Sequence, residues 1–323
     1  MSAPSQNVFM DRWVLGPKTQ RVWGVNHAIW FTLMGIGGGV FLVARVLGVT
    51  TDLGQVLGLP VVDVVSFVTI AIGGLVLIAD LGRPLQAWRA FRNVKASWIS
   101  WGAWADLVFL TFAGLLMLPD LTVNDSTPFS GLGWDSAASG GTGRVMLVAA
   151  SIAAVVVMVY AGAVLARPRS IPYWHSVAVP FQFLFSSLAT ATATVLLLVV
   201  LDGRDVTSGQ ALALAGSSAV LLAAMVVHLS THKDAPGKKE SIDRLVRGSS
   251  RATFVFVTLL AGTALPAVLA LVGAVAEGAR NGLVVIALPL LVVGGFFLRL
   301  DTLRAGIYPP ITMPQGPPRR SRG

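Results

Sequence analysis

Five polar residues of this sequence fall within long apolar segments or at their ends: Asn26, His27, Asp80, Asp106 and Tyr160. Ionisable side chains inside an apolar span are costly and indicate a functional site by default. Imidazole can donate a hydrogen bond to a carbonyl oxygen and exchange a proton near neutral pH. An apolar pocket with a few such groups suits a molecule with carbonyl oxygens, such as a quinone, whose reduction also needs a route for protons.

All five residues lie near the same end of their predicted helices. At about 1.5 Å per residue, each falls within about 13 Å of that end. The five side chains are therefore expected to line one pocket in a single leaflet of the membrane.

Each of these residues also has a purely structural interpretation. His27 can be an interfacial histidine whose ring bonds to backbone or water, and Tyr160 can be a packing or belt aromatic. Asp80 can pair with Arg83, three residues along the chain. Asp106 is harder to explain structurally, because it is deeper and has no basic neighbour within one turn of its own helix.

The elements that position these residues are membrane-spanning helices. Of the 323 residues, 54% are apolar and only 12% are charged, whereas about 25% is usual for soluble domains. Eight windows have the length of about 20 residues that a span requires: 27–48, 59–81, 98–118, 144–166, 177–201, 210–232, 252–276 and 281–300. The absence of cysteine excludes disulfides, thiolate metal sites and iron–sulfur ligation by this chain.

The distribution of basic residues predicts an orientation. Twenty of the 24 Lys and Arg residues fall on the side that carries both ends of the chain, so we expect both termini to be cytoplasmic. Residues 1–26 have no signal-peptide pattern and are expected to form a cytoplasmic arm. The tail 301–323 is also predicted to be cytoplasmic, and extended or disordered from Pro309. Because the basic residues lie between apolar runs, nucleic-acid binding is disfavoured.

Three further patterns lead to structural predictions. The glycine run 35–39 favours close helix packing, with room for a flat ring or isoprenoid tail as the alternative. Arg299 and Asp301 are predicted to form a local ion pair, and Pro266 and Pro289 to kink their helices.

The four histidines raise the alternative of a haem b anchor. His228 and His232 share one helix face and cannot take opposite axial positions of one haem. His27 with His228 on facing helices is the conceivable pair.

Several motifs, in order, resemble those of the NrfD/PsrC family, the polysulfide-reductase-type membrane subunits. The segment 23–44 resembles the family's aromatic-rich entry into a glycine-rich first helix. Asp80 to Trp88 (DLGRPLQAW), followed by Ser97 to Trp104 (SWISWGAW), is the most specific match. Weaker matches follow at 160–165 (YAGAVL), 183–190 (FLFSSLAT) and 298–306 (LRLDTLRAG).

The resemblance implies an all-α integral membrane protein with eight helices in two four-helix bundles, 27–166 and 177–300. It implies a quinone site, for menaquinone or ubiquinone, contacted by Asn26, His27 and Tyr160, with Asp80 and Arg83 of the DLGRP motif beside it. Asp106 and Asp80 are candidates for a proton path.

The implied partners are a four-cluster ferredoxin-like iron–sulfur subunit and a molybdopterin-type or other catalytic subunit, in a bacterial inner membrane. The chain itself is expected to bind no haem, metal or iron–sulfur cluster and to have no catalytic residue of its own.

Two departures from the family pattern qualify these expectations. Asn26 and His27 stand where many relatives have a proline, and the segment 248–254 lacks the acidic residue that relatives often carry, which disfavours a proton path in the second bundle. A secondary transporter or proton-translocating bundle remains the main alternative, although such folds usually show internal repeats and none is visible here.

Overall fold

The structure is a computed structural model that describes residues 13–92, 94–95, 97–231, 233 and 235–312. It contains the eight predicted membrane spans, because long apolar runs can satisfy their backbone only as helices. In chain order the helices are α1 (Val25–Val46), α2 (Val61–Asp80), α3 (Trp98–Met117), α4 (Gly141–Ala166), α5 (Ala178–Leu201), α6 (Ser208–Ser230), α7 (Lys238–Val246), α8 (Ala252–Val275) and α9 (Arg280–Arg304). Among the α-helices of the described residues, only α7 is too short and too polar to span a membrane.

Helices α1 and α5 are the most deeply enclosed of the spans. Helix α1 packs against α2, α4, α5 and α9, and α5 packs against α1, α4, α6 and α9. The division into two four-helix bundles stays a prediction, since α1 and α5 each contact helices from both halves of the chain.

The glycine run of α1 serves close packing. A Cβ on Gly37 would lie 2.6 Å from Cγ1 of Ile70 in α2, and a Cβ on Gly39 would lie 2.6 Å from Cβ of Ala191 in α5. Helices on two sides of α1 therefore approach its backbone too closely for any larger side chain. The run leaves no room there for a ring or an isoprenoid tail.

Helix ends follow local sequence signals. Helix α2 ends at Asp80, just before Gly82 and Pro84, and a 3₁₀ segment, Pro84–Arg92, leads towards α3. The Ser97 side chain caps α3 by accepting a hydrogen bond from the backbone N–H of Ser100.

Helix α8 changes its geometry along its length. Residues 252–264 form a π-helix, and an α-helix begins at Leu265, just before Pro266. The Thr263 hydroxyl donates to the carbonyl of Thr258, five residues earlier, at 2.9 Å. The change from π-helix to α-helix thus occurs next to Pro266. The kink predicted there stays a prediction.

The two ends of the described chain meet on one face. Strands β1 (Trp13–Leu15) and β2 (Lys18–Thr19) precede α1, and a short hairpin β3 (Gln55–Val56) and β4 (Leu59–Pro60) precedes α2. Strands β5 (Ile307–Tyr308) and β6 (Ile311–Thr312) follow α9 and pair antiparallel with β2 and β1. The predicted N-terminal arm is therefore tied to the C-terminal segment from Trp13 onwards. We call this face of the protein the terminal side.

Candidate functional site

The DLGRP motif and the start of α1 meet at the terminal side. His27 Nδ1 lies 3.1 Å from one carboxylate oxygen of Asp80, and Asn26 Nδ2 donates to the other at 2.8 Å. The side chains of His27 and Asp80 are 20% and 21% exposed, so water reaches the pair only partly. Both oxygens of Asp80 are engaged, which holds the imidazole by one nitrogen and leaves Nε2 for another partner.

The structural interpretation of Asp80 as the ion-pair partner of Arg83 is wrong. Arg83 is exposed just after the end of α2 and forms no ion pair with a described residue. Asp80 reaches across to α1 instead. Of the five residues predicted at the quinone site, Asn26, His27 and Asp80 contact one another, and Arg83 forms no ion pair with a described residue.

Aromatic rings connect His27 to Tyr160. The rings of Trp23 and Trp30 have centroids 4.7 Å and 6.2 Å from that of His27. Trp30 in turn stacks on Tyr160 of α4, with centroids 6.0 Å apart. Tyr160 is buried and donates to the sulfur of Met34 at 3.1 Å. The sequence analysis missed Trp30, although its place three residues after His27 puts it on the same face of α1.

Asp106 approaches the same region from α3. Gly102 lies directly against the Tyr160 ring, and Asp106 is one turn deeper on that face of α3. Asp106 is only 9% exposed, and its Oδ1 has no hydrogen-bond partner among the described residues. No hydrogen bond joins Asp106 to Asp80 in the described part of the chain, so a continuous proton path between them stays a prediction.

A second buried polar atom without a hydrogen-bond partner belongs to Trp30, beside Tyr160. The indole N–H of Trp30 is buried and lacks an acceptor within the described residues. A buried donor and a buried acceptor near one tyrosine, with His27 Nε2 nearby, suit a ligand that carries carbonyl or hydroxyl oxygens. The residues present therefore fit a quinone chemically.

The predicted ion pair between Arg299 and Asp301 is wrong. Arg299 is fully buried, and its guanidinium donates to the hydroxyls of Ser186 and Ser187 in α5 at 3.0 and 2.9 Å. Asp301 turns to α8, where it accepts from Thr253 at 2.7 Å. Residues two apart on a helix point about 200° apart, so the two charges face different neighbours.

The remaining histidines lie elsewhere. His228 is buried on α6 with its ring 4.6 Å from that of Tyr173, and neither ring nitrogen has a hydrogen-bond partner in the described chain. Lys238 at the start of α7 donates to the carbonyl of Thr231, and burial lowers the pKa of Lys238. His232 lies outside the described residues. In the described parts of the chain, no three His, Asp or Glu residues group as metal ligands.

Fold and site together define a multi-pass membrane protein with a polar and aromatic cluster near one membrane surface. Residues 13–310 match the family described as "Polysulphide reductase, NrfD". The chain belongs to the NrfD family, whose members are membrane subunits of oxidoreductase complexes and work with other redox subunits. No curated protein matches the sequence significantly.

Proposed function

We propose that this chain is the quinone-reactive membrane anchor of its oxidoreductase complex. It exchanges electrons between a membrane quinone, menaquinone or ubiquinone, and an iron–sulfur partner subunit. The observation that carries the proposal is the pairing of His27 with Asp80 beside the unpaired Trp30 and Asp106.

Each residue has a distinct part in this proposal. Asp80 fixes the tautomer of His27, because a carboxylate only accepts and Nδ1 must then carry the proton. Neutral His27 consequently presents a lone pair at Nε2, and the protonated ring presents an N–H. Asn26 holds the second oxygen of Asp80 and so stabilises its orientation. A bound quinone supplies two-electron, two-proton carrier chemistry.

The interior residues line the next layer of the site. The Trp30 N–H is a ready donor to a carbonyl oxygen, and Tyr160 is held by its contacts with Trp30 and Met34. Asp106 has an unpaired oxygen at a depth of about 12 Å along α3, where it can take or release a proton.

The proposed partners dock at the terminal side. We propose a four-cluster ferredoxin-like subunit there, with a molybdopterin-type or other catalytic subunit beyond it. His27 and Trp30 lie within about 10 Å of that surface, since they are two and five residues into α1. We propose that this side faces the cytoplasm and that the membrane is a bacterial inner membrane, since most basic residues lie on this side.

The test of the proposal replaces His27 in the intact complex. His27→Ala should abolish turnover with a short-tail naphthoquinol while co-purification of the partner subunits stays normal. Reduction of the iron–sulfur partner by an artificial donor should also stay normal, because that reaction does not involve the quinone site.

The matched control lies on the opposite face. Asn281 Nδ2 donates to Asp205 Oδ1 at 2.8 Å, the same bond that Asn26 makes with Asp80. Asn281→Ala should leave naphthoquinol turnover unchanged. Normal turnover in His27→Ala would remove His27 from the site and refute the proposal.

Proton translocation is a second candidate function, favoured by Asp106 alone. A buried carboxyl group with an unpaired oxygen destabilises the fold, so its presence in a membrane span indicates a function. Asp106→Asn should then abolish proton movement into vesicles while quinol oxidation continues. Loss of both activities together would instead assign Asp106 to the quinone site.

A further inference from the structure

A groove runs down the outside of the first half of the protein at the terminal side. Its volume is about 740 Å³, and it lies between the start of α3, the end of α4 and the start of α5. Trp98, Val159, Ala163 and Pro180 form its apolar wall. We call it the α4 groove.

The α4 groove is separate from the quinone site. Val159, Ala163 and Ala166 are spaced by four and three residues, so they share an outward face of α4. Tyr160 is one residue from Val159 and therefore turns about 100° away, into the interior. None of the residues that line the groove belongs to the cluster around His27.

The mouth of the groove is strongly basic. Arg167 and Arg169 line it, and a smaller adjoining cavity brings Lys95 next to Arg167 and Trp98. No Asp or Glu of the described chain lines either cavity. The two arginines are exposed and have no ion pair with a described residue.

The groove also has the depth that a lipid requires. Val159 lies seven residues before the end of α4, about 10 Å below the basic mouth. Trp98 is 43% exposed at the level where indole rings sit between headgroups and chains. A soluble phosphate compound would use the mouth and leave the apolar wall uncovered.

We propose that the α4 groove binds an anionic phospholipid from the leaflet on the terminal side. Its phosphate pairs with Arg167 and Arg169, and one acyl chain lies along Val159, Ala163 and Pro180. Basic pockets between membrane helices recognise anionic headgroups in this way. This site is independent of the proposed quinone reaction.

The test measures lipid binding by native mass spectrometry on the delipidated full chain. The two probes are phosphatidylglycerol and phosphatidylcholine with identical acyl chains. Phosphatidylglycerol should bind more tightly, and Arg167→Gln with Arg169→Gln should weaken it about 30-fold, which is about fivefold for each basic residue at a membrane surface. The affinity for phosphatidylcholine should not change.

The charge control is Lys239→Gln with Arg251→Gln. Both residues are exposed on the terminal side away from the groove, and the pair removes the same charge. Its affinity for phosphatidylglycerol should equal that of the wild type. An equal loss in both double variants would show attraction by net charge alone and overturn the proposal.

A second pair of variants tests the apolar wall. Ala163→Trp narrows the groove and should reduce phosphatidylglycerol binding, whereas Val220→Trp, at a 45% exposed position on α6 away from the groove, should not. Undiminished binding in Ala163→Trp would refute the acyl-chain contact. Competition by glycerol phosphate as strong as by the lipid would assign the mouth to a soluble anion, which also refutes the proposal.

Two further outcomes identify a different occupant. If Ala163→Trp weakened naphthoquinone binding and spared phosphatidylglycerol, the groove would be a quinone path. If the arginine variants lost their partner subunits but kept the lipid, the groove would be a protein interface. Either result excludes the lipid site.

Discussion

Replacing Asp80 by Asn tests how the site controls the proton on His27. The carboxylate of Asp80 accepts from His27 at 3.1 Å and from Asn26 at 2.8 Å. An amide has one accepting oxygen and one donating NH₂ group, so it cannot accept both bonds with its two ends. If the amide NH₂ faces the ring, Nδ1 must accept, and the proton moves to Nε2. In that orientation the ring takes the tautomer opposite to the native one, and in the other orientation the bond from Asn26 is lost.

The size of the effect follows from the bond that is lost. A hydrogen bond to a charged group contributes about 1.5–3 kcal/mol. The pair is about one-fifth exposed, so the lower end of that range applies. About 1.5 kcal/mol corresponds to about a tenfold fall in kcat/KM for quinol oxidation. Quinone reduction should fall by the same factor, because the forward and reverse proton transfers pass through one transition state and the equilibrium is unchanged.

The assay is steady-state oxidation of a short-tail naphthoquinol by the intact complex, with the reverse reaction measured in parallel. Asp205→Asn is the matched control, because Asp205 accepts the equivalent bond from Asn281 on the opposite face. It should retain wild-type kcat/KM. An assembled Asp80→Asn complex with unchanged kcat/KM in both directions would refute the role of Asp80 in orienting His27.

The other predictions concern stability in detergent, measured as Tm by circular dichroism. Gly102→Val should lower stability by about 1–3 kcal/mol by overpacking the Tyr160 ring, whereas Gly131→Val, with open space around it, should have little effect; equal losses would contradict this. Arg299→Met should not lower Tm, because it removes a buried charge with no described carboxylate partner; a clear drop would show that its serine bonds stabilise the fold. Burial lowers the pKa of Lys238 below its ordinary value of 10.5. The wild type should therefore gain stability relative to Lys238→Met as the pH rises from that lowered pKa towards 10.5, because the unfolded chain binds the proton more tightly. A constant difference across that range would show that burial does not perturb this lysine.

The spans and their polar residues were predictable because each depends on local composition. A run of about 20 apolar residues must form a helix in a bilayer, whatever its neighbours are. The same rule made Asp106 conspicuous, since a carboxyl group in such a run stands out from the sequence itself. The end of α2 at Asp80 likewise followed from the Gly and Pro residues just beyond it.

The partners of these residues were not predictable from neighbouring positions. Asp80 was weighed against Arg83, three residues away, but it pairs with His27, 53 positions earlier. Arg299 and Asp301 are two residues apart and yet contact different helices. Helical geometry alone separates their directions, although only the packed structure identifies α5 and α8 as the respective neighbours.

The sequence by itself determined the number of spans, the side of the protein that carries most basic residues and the residues too polar for lipid. Each of these depends only on the length of apolar runs and on the positions of charged residues along the chain. Only the tertiary structure decided that Trp30 lies between His27 and Tyr160 and that Asp80 holds the imidazole. Those contacts join α1 to α2 and to α4, and such contacts depend on how the helices pack against one another.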